Sequence, residues 1–137
     1  HINPSTIDLE LTERIVMGSQ ESFDKIKKLK DYGFHISLDD FGTGQSSLSY
    51  LKKYNIDTLK IDKSFINDLE HDEQSRSIAT AIISLANAMN MNTVAEGVED
   101  IEQLKILKAL GCDTYQGWYF SKALPAKEFE TLYFKTL

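Results

Sequence analysis

A short apolar run followed by an amphipathic helical pattern, repeated five times in 137 residues, limits what this chain can fold into more than any other feature. Ile7-Asp8-Leu9-Glu10-Leu11 alternates apolar and acidic residues, the period of a strand. From about Glu21, Phe23, Ile26 and Leu29 make a helical stripe, with lysines in the last turn and Gly33 as the stop. Ile36-Ser37-Leu38 is the second run, and Leu48 and Leu51 behind Ser46 and Ser47 open another helix. Asp57 to Asp62 is the third strand, with Leu59 and Ile61 on one face and Lys60 and Asp62 on the other.

The spacing of Ile78, Ile82, Leu85 and Met89 predicts a long helix over 73–91, followed by a strand at Thr93-Val94-Ala95. Asp100 is placed to cap a helix whose Ile101, Leu104, Leu107 and Leu110 face inward and which Gly111 closes. Thr114-Tyr115-Gln116 is the last strand, and a helix after Pro125 carries Phe129, Leu132 and Tyr133. The connections are too short for hairpin pairing, so the units read as βα repeats on a parallel sheet, in one α/β domain.

Composition narrows the partners. A net charge of −6 works against DNA binding and against contact with an anionic membrane. Cys112 is the one cysteine, so no internal disulfide forms and a reducing, cytoplasmic setting is expected. No apolar run reaches bilayer-spanning length.

The chemistry-bearing residues fall at the strands' C-terminal ends: Glu10 and Glu13, Asp39 and Asp40, Lys60 and Asp62, Glu96 and Glu99, and Gln116. In parallel α/β folds those ends form the ligand rim. The adjacent pair Asp39-Asp40, followed by Phe41-Gly42-Thr43-Gly44, fits a metal-binding turn and a solvated acidic turn equally well on its own. Acids at four successive strand ends, with a lysine among them, are different: gathered at one rim they repel unless hard cations sit between them. Oxygen donors favour magnesium, manganese or calcium over zinc. A receiver domain of a response regulator is also built of five βα units. It requires an aspartate on the third strand and a lysine on the fifth, where this chain has Lys60-Ile61-Asp62 and Gln116.

Glu10-Leu11-Thr12-Glu13, Asp39-Asp40-Phe41-Gly42-Thr43-Gly44, Lys60-Ile61-Asp62-Lys63-Ser64-Phe65-Ile66, Val94-Ala95-Glu96-Gly97-Val98-Glu99 and Gln116-Gly117-Trp118-Tyr119-Phe120 resemble, in order, the later motifs of the EAL-domain cyclic di-GMP phosphodiesterases. The resemblance covers essentially the whole chain. It implies strands four to eight of a TIM-type (β/α)8 barrel, residues 1–137 being a partial EAL domain. The implied activity is hydrolysis of cyclic di-GMP to linear pGpG with two Mg2+ or Mn2+ ions. It also implies roles: Glu10 and Asp39 as metal ligands, Asp40 on the second ion, Lys60 orienting water and phosphate, and Glu96 as general base or a ligand beside it. Glu99 and Gln116 would support the metal–water network, and Asp62 would be either a partner of the ligands or a solvated acid. Glu13 would anchor the loop containing Thr43 and Gly44, which in the family links the site to dimerisation.

The Glu-Ala-Leu motif and the metal-binding asparagine of the following strand do not occur in this chain. The segment alone is therefore expected to be inactive, within a parent carrying a GGDEF-type or sensor domain. The alternative is a degenerate, non-catalytic EAL module that binds cyclic di-GMP or another protein. An open barrel of five strands is further expected to expose an apolar inner face and two edges, and so to form homodimers or otherwise self-associate.

Overall fold

The computed structural model describes residues 2–16, 18–42 and 48–134. Strands β1 (Asp8–Thr12), β2 (His35–Phe41), β3 (Thr58–Ile61), β4 (Asn92–Glu96) and β5 (Thr114–Gln116) form one sheet in the order β1-β2-β3-β4-β5. Every neighbouring pair is parallel. A parallel sheet whose spatial order follows chain order keeps its crossovers on one side, as in a barrel; a doubly wound sheet reverses partway.

The crossover helices are α2 (Gln20–Asp31), α3 (Leu48–Tyr54), α5 (Glu73–Ala88) and α6 (Ile101–Leu110), and α7 (Ala126–Tyr133) follows β5. Two short helices absent from the sequence reading, α1 (Glu13–Val16) and α4 (Lys63–Asn67), follow β1 and β3 directly. Four or five residues are too few to register a helical period. The helix predicted over 73–91 ends sooner, at Ala88, because Asn90 turns into the left-handed region (φ 56°). The helix bearing Leu48 and Leu51 is present, while its expected serine cap lies outside the described residues.

The helix-facing side of the sheet is apolar. Ile36, Leu38, Leu59, Ile61 and Ala95 are buried with Ile66, Ile83, Ala86, Leu104 and Leu107 from the helices. Burial of each large aliphatic side chain is worth about 1.5–3 kcal/mol. Ile101, expected inward, is instead 43% exposed at the first position of α6. Asp100 does cap that helix, accepting from the Gln103 N–H while Gln103 Oε1 accepts from the Asp100 N–H. Below the sheet, Asp57 accepts from Lys30 Nζ at 2.6 Å and from the Ile36 N–H at 2.7 Å, pinning the end of α2 to the start of β2.

The opposite face carries Asp8, Glu10, Ser37, Asp39, Thr58, Lys60 and Glu96, given by strand alternation and the pairing register. The expected apolar inner face is thus mistaken: that side is predominantly polar. Exposed apolar surface lies instead at Trp118 and Phe120 and on α7, at Phe129, Leu132 and Tyr133. No helix among the described residues is long and apolar enough to cross a membrane.

Candidate active site

Lys60 is the centre of the polar face. β3 is buried along its whole length, and only 6% of the Lys60 side chain is exposed. Its Nζ lies 2.7 Å from Glu10 Oε1, 2.9 Å from Asp39 Oδ1 and 2.7 Å from Glu96 Oε1. Three strands therefore deliver one carboxylate each to a lysine supplied by a fourth. Burial alone would lower the Lys60 pKa; the ion pairs with Glu10, Glu96 and Asp39 more than reverse it and hold the ammonium above its ordinary value.

A second grouping overlaps the first. Asp39, Asp40 and Glu96 each present an oxygen, and the three atoms lie within 4.8 Å of one another. Consecutive strand residues ordinarily face opposite ways, so Asp39 and Asp40 share a rim only because the backbone departs from the strand. Asp40 adopts φ 54°, and the β2–β3 register shifts between Leu38 and Phe41. Desolvation, then the Asp39 charge and a hydrogen bond with Asp62, hold the Asp40 carboxyl above its usual range.

These groups fit a hard divalent cation. All the donors are carboxylate oxygens, and Asp39 Oδ1 is a buried oxygen at ion-pair distance from Lys60 without an aligned hydrogen bond. Glu10 is held on Lys60 and does not belong to the oxygen triplet.

The remaining candidates fall around this centre. Glu13 opens α1 and accepts from the Gly42 N–H at 3.2 Å, tying β1's end to the turn after β2; Thr43 and Gly44 lie outside the described residues. Asp62 lies just past the strand end and caps α4, its Oδ1 accepting from the Ser64 N–H at 2.9 Å and from the Ser64 hydroxyl. Burial would raise its pKa, but the Ser64 bonds and the link to Asp40 keep it lowered. Glu99 and Gln116 are not part of the Lys60 cluster. They line an adjoining cavity of about 600 Å³ with Lys63, Gly97, Trp118 and Lys122. Lys122 Nζ sits 4.7 Å from the centroid of the Trp118 ring. Sequence reasoning passed over Lys63 and Lys122; their proximity to strand ends was the available signal.

Carboxylates and a buried lysine converge at the C-terminal rim of parallel βα units, where barrel proteins carry their functional sites. Residues 1–123 match the EAL domain, and the chain belongs to that family. Its fold is accordingly of the TIM-type (β/α)8 class, as in the solved EAL proteins it resembles.

The chain is 44% identical over 128 residues to the probable cyclic di-GMP phosphodiesterase PdeB of Escherichia coli K12, covering 93% of this chain and 24% of PdeB. It is 42% identical to the bifunctional diguanylate cyclase/cyclic di-GMP phosphodiesterase MucR of Pseudomonas aeruginosa, over 93% of this chain and 19% of MucR. The solved PaMucR phosphodiesterase, a c-di-GMP complex, superposes with a TM-score of 0.89 at 41% identity over 93% of this chain and 52% of that one. Klebsiella pneumoniae BlrP1, solved as a manganese/cy-diGMP complex, gives a TM-score of 0.80 at 30% identity over 88% of this chain and 31% of that one. The chain thus spans well under two thirds of each of these relatives.

Proposed function

We propose that this chain supplies strands four to eight of a phosphodiesterase domain that hydrolyses cyclic di-GMP to linear pGpG with two magnesium or manganese ions. The observation carrying this reading is the convergence of Glu10, Asp39 and Glu96 on Lys60, with Asp40 brought to the same rim. The names of PdeB and MucR and the manganese complex of BlrP1 support it.

Asp39, Asp40 and Glu10 are the metal ligands in this reading. Bound ions supply a water of lowered pKa and offset charge on the phosphodiester. Glu96 takes the proton of the attacking water, and Lys60 orients water and phosphate by donating hydrogen bonds from its ammonium. Glu13 holds the turn at Gly42, and with it the end of β2, in place. The cavity beside Glu99 and Gln116 is large enough for a purine, with Trp118 as an aromatic wall. The setting is cytoplasmic, in keeping with the buried free thiol of Cys112.

The test is incubation of the full-length protein with cyclic di-GMP and Mn2+, with nucleotides separated by chromatography. pGpG should accumulate, and Glu96→Gln and Lys60→Ala should each slow it by about 100-fold or more. Binding of cyclic di-GMP without turnover would replace this reading with the non-catalytic receptor. Neither binding nor turnover would remove both.

A further inference from the structure

We infer that Gln103 is the positioning residue for Glu99: its side-chain oxygen holds the backbone N–H of Glu99 and so fixes that residue in the wall of the cavity adjoining the Lys60 cluster. Gln103 has this duty within the reading of that cavity as a nucleobase site, on which the assignment rests.

The loop between β4 and α6 needs such a hold. Residues 97–100 join Glu96, on the Lys60 cluster, to the start of α6. Val98, fully buried, is stitched to the end of β5: its N–H donates to the Gln116 carbonyl at 3.0 Å, and its own carbonyl accepts from the Tyr119 N–H at 2.9 Å. The contact is backbone against backbone, since a Cβ added to Gly117 would come 2.1 Å from the Val98 carbonyl oxygen. Glu99 comes next and is exposed, so core packing does not fix it.

Gln103 does. It is a buried polar side chain, 5% exposed, in the first turn of α6, and its Oε1 accepts from the Glu99 N–H at 2.7 Å. The Asp100 N–H reaches the same oxygen at 3.3 Å. A capping box requires only that second bond, from the N-cap residue. The shorter one reaches a residue further out and does nothing for the helix. Its effect falls on the cavity instead, where Glu99 is the one carboxylate among the described lining residues, with Trp118, Lys63 and Lys122 in the same wall. A base resting against Trp118 presents N–H donors at its edge, which a carboxylate accepts.

The experiment separates positioning from helix capping. Gln103→Met fills the same space without a strong acceptor and leaves the Asp100 cap, which is made to the backbone N–H of residue 103. Gln103→Glu keeps an acceptor at the same reach. Asp100→Ala removes the cap and leaves the Gln103 oxygen. In the full-length protein, kcat and KM for cyclic di-GMP are measured with Mn2+, with thermal melts beside them and Glu99→Ala as the site control. Gln103→Met should raise KM about tenfold, the worth of one misplaced hydrogen bond, with kcat within about threefold of wild type. Gln103→Glu should return KM to within about threefold of wild type, and Asp100→Ala should lower the melting temperature without a comparable rise in KM. An unchanged KM in Gln103→Met, an equal rise in Asp100→Ala, or no recovery in Gln103→Glu overturns the role of Gln103 while Glu99→Ala still raises KM. An unchanged KM in Glu99→Ala overturns the cavity reading and the role of Gln103 with it, and absence of turnover in the wild type overturns the phosphodiesterase reading and both.

Discussion

The ammonium of Lys60 and the carboxylate of Glu96, on adjacent strands β3 and β4, lie 2.7 Å apart, with the lysine 6% exposed and the glutamate side chain 19%. Glu10 and Asp39 approach the same nitrogen from β1 and β2. One buried cation therefore keeps three negative groups together on the polar face of the sheet. Lys60→Met should leave those carboxylates facing one another and cost about 2 kcal/mol of stability. That is below the 3–5 typical of a fully buried pair, because Glu10 is half-exposed. Urea denaturation in the presence of a chelator measures it, and an unchanged midpoint would show that the lysine does not hold the cluster.

Gly97 and Gly111 both have positive φ, 73° and 83°, yet their surroundings differ. A Cβ at Gly111 meets open space, whereas one at Gly97 meets Lys63 Cβ at 2.7 Å. Gly111→Ala should cost about 1 kcal/mol through backbone strain alone, and Gly97→Ala clearly more. Equal losses in chemical denaturation would mean that the close approach of α4 to the β4–α6 loop is not maintained in solution.

Cys112 is buried, and burial, only partly offset by hydrogen bonds with its neighbours, raises its thiol pKa. The thiolate, not the thiol, is the reactive form. At pH 8 the native protein should resist iodoacetamide and the urea-unfolded protein should react promptly, as read by mass spectrometry. Rapid native labelling would contradict the burial.

Asp72 caps α5, accepting from the Gln74 and Ser75 N–H groups and from the Ser75 hydroxyl, and its pKa lies below the ordinary value. A depressed native pKa adds stability at pH above the unfolded value and loses it as pH falls through the native one. Asp72→Ala should therefore lower the melting temperature near neutral pH, and the gap from wild type should narrow as pH drops below about 4. A gap constant from pH 6 to pH 2 would assign the effect to something other than the ionised cap.

The parts of this molecule legible in the sequence are those encoded locally. The five strands, the stops at Gly33 and Gly111, the Asp100 cap and the strand-end positions of Glu10, Asp39, Lys60 and Glu96 all follow from period and residue type. What escaped depends on tertiary placement. The left-handed turn that sends Asp40 to the same rim as Asp39 has no residue signature, because aspartate there is also an ordinary strand-end residue. Asp62 reads as the last residue of an alternating strand until α4 is seen to begin at Lys63. Ile101 fits a helical stripe, but it stands at the first position of α6 and is 43% exposed. The family resemblance supplied site roles that spacing alone leaves open, but it grouped Glu99 and Gln116 with the metal–water network, whereas the structure sets them in a cavity apart from the Lys60 cluster.

The claim on which everything else depends is that Asp39 and Asp40 share one cation site at the strand-end rim, beside Glu96 and Lys60. The most direct measurement is anomalous diffraction at the manganese edge from crystals of the full-length protein grown with saturating Mn2+. The account predicts a strong peak within coordination distance, about 2.0–2.2 Å, of Asp39 and Asp40 oxygens and beside Lys60. An ordered rim with no peak there, or with manganese bound only elsewhere, would contradict it.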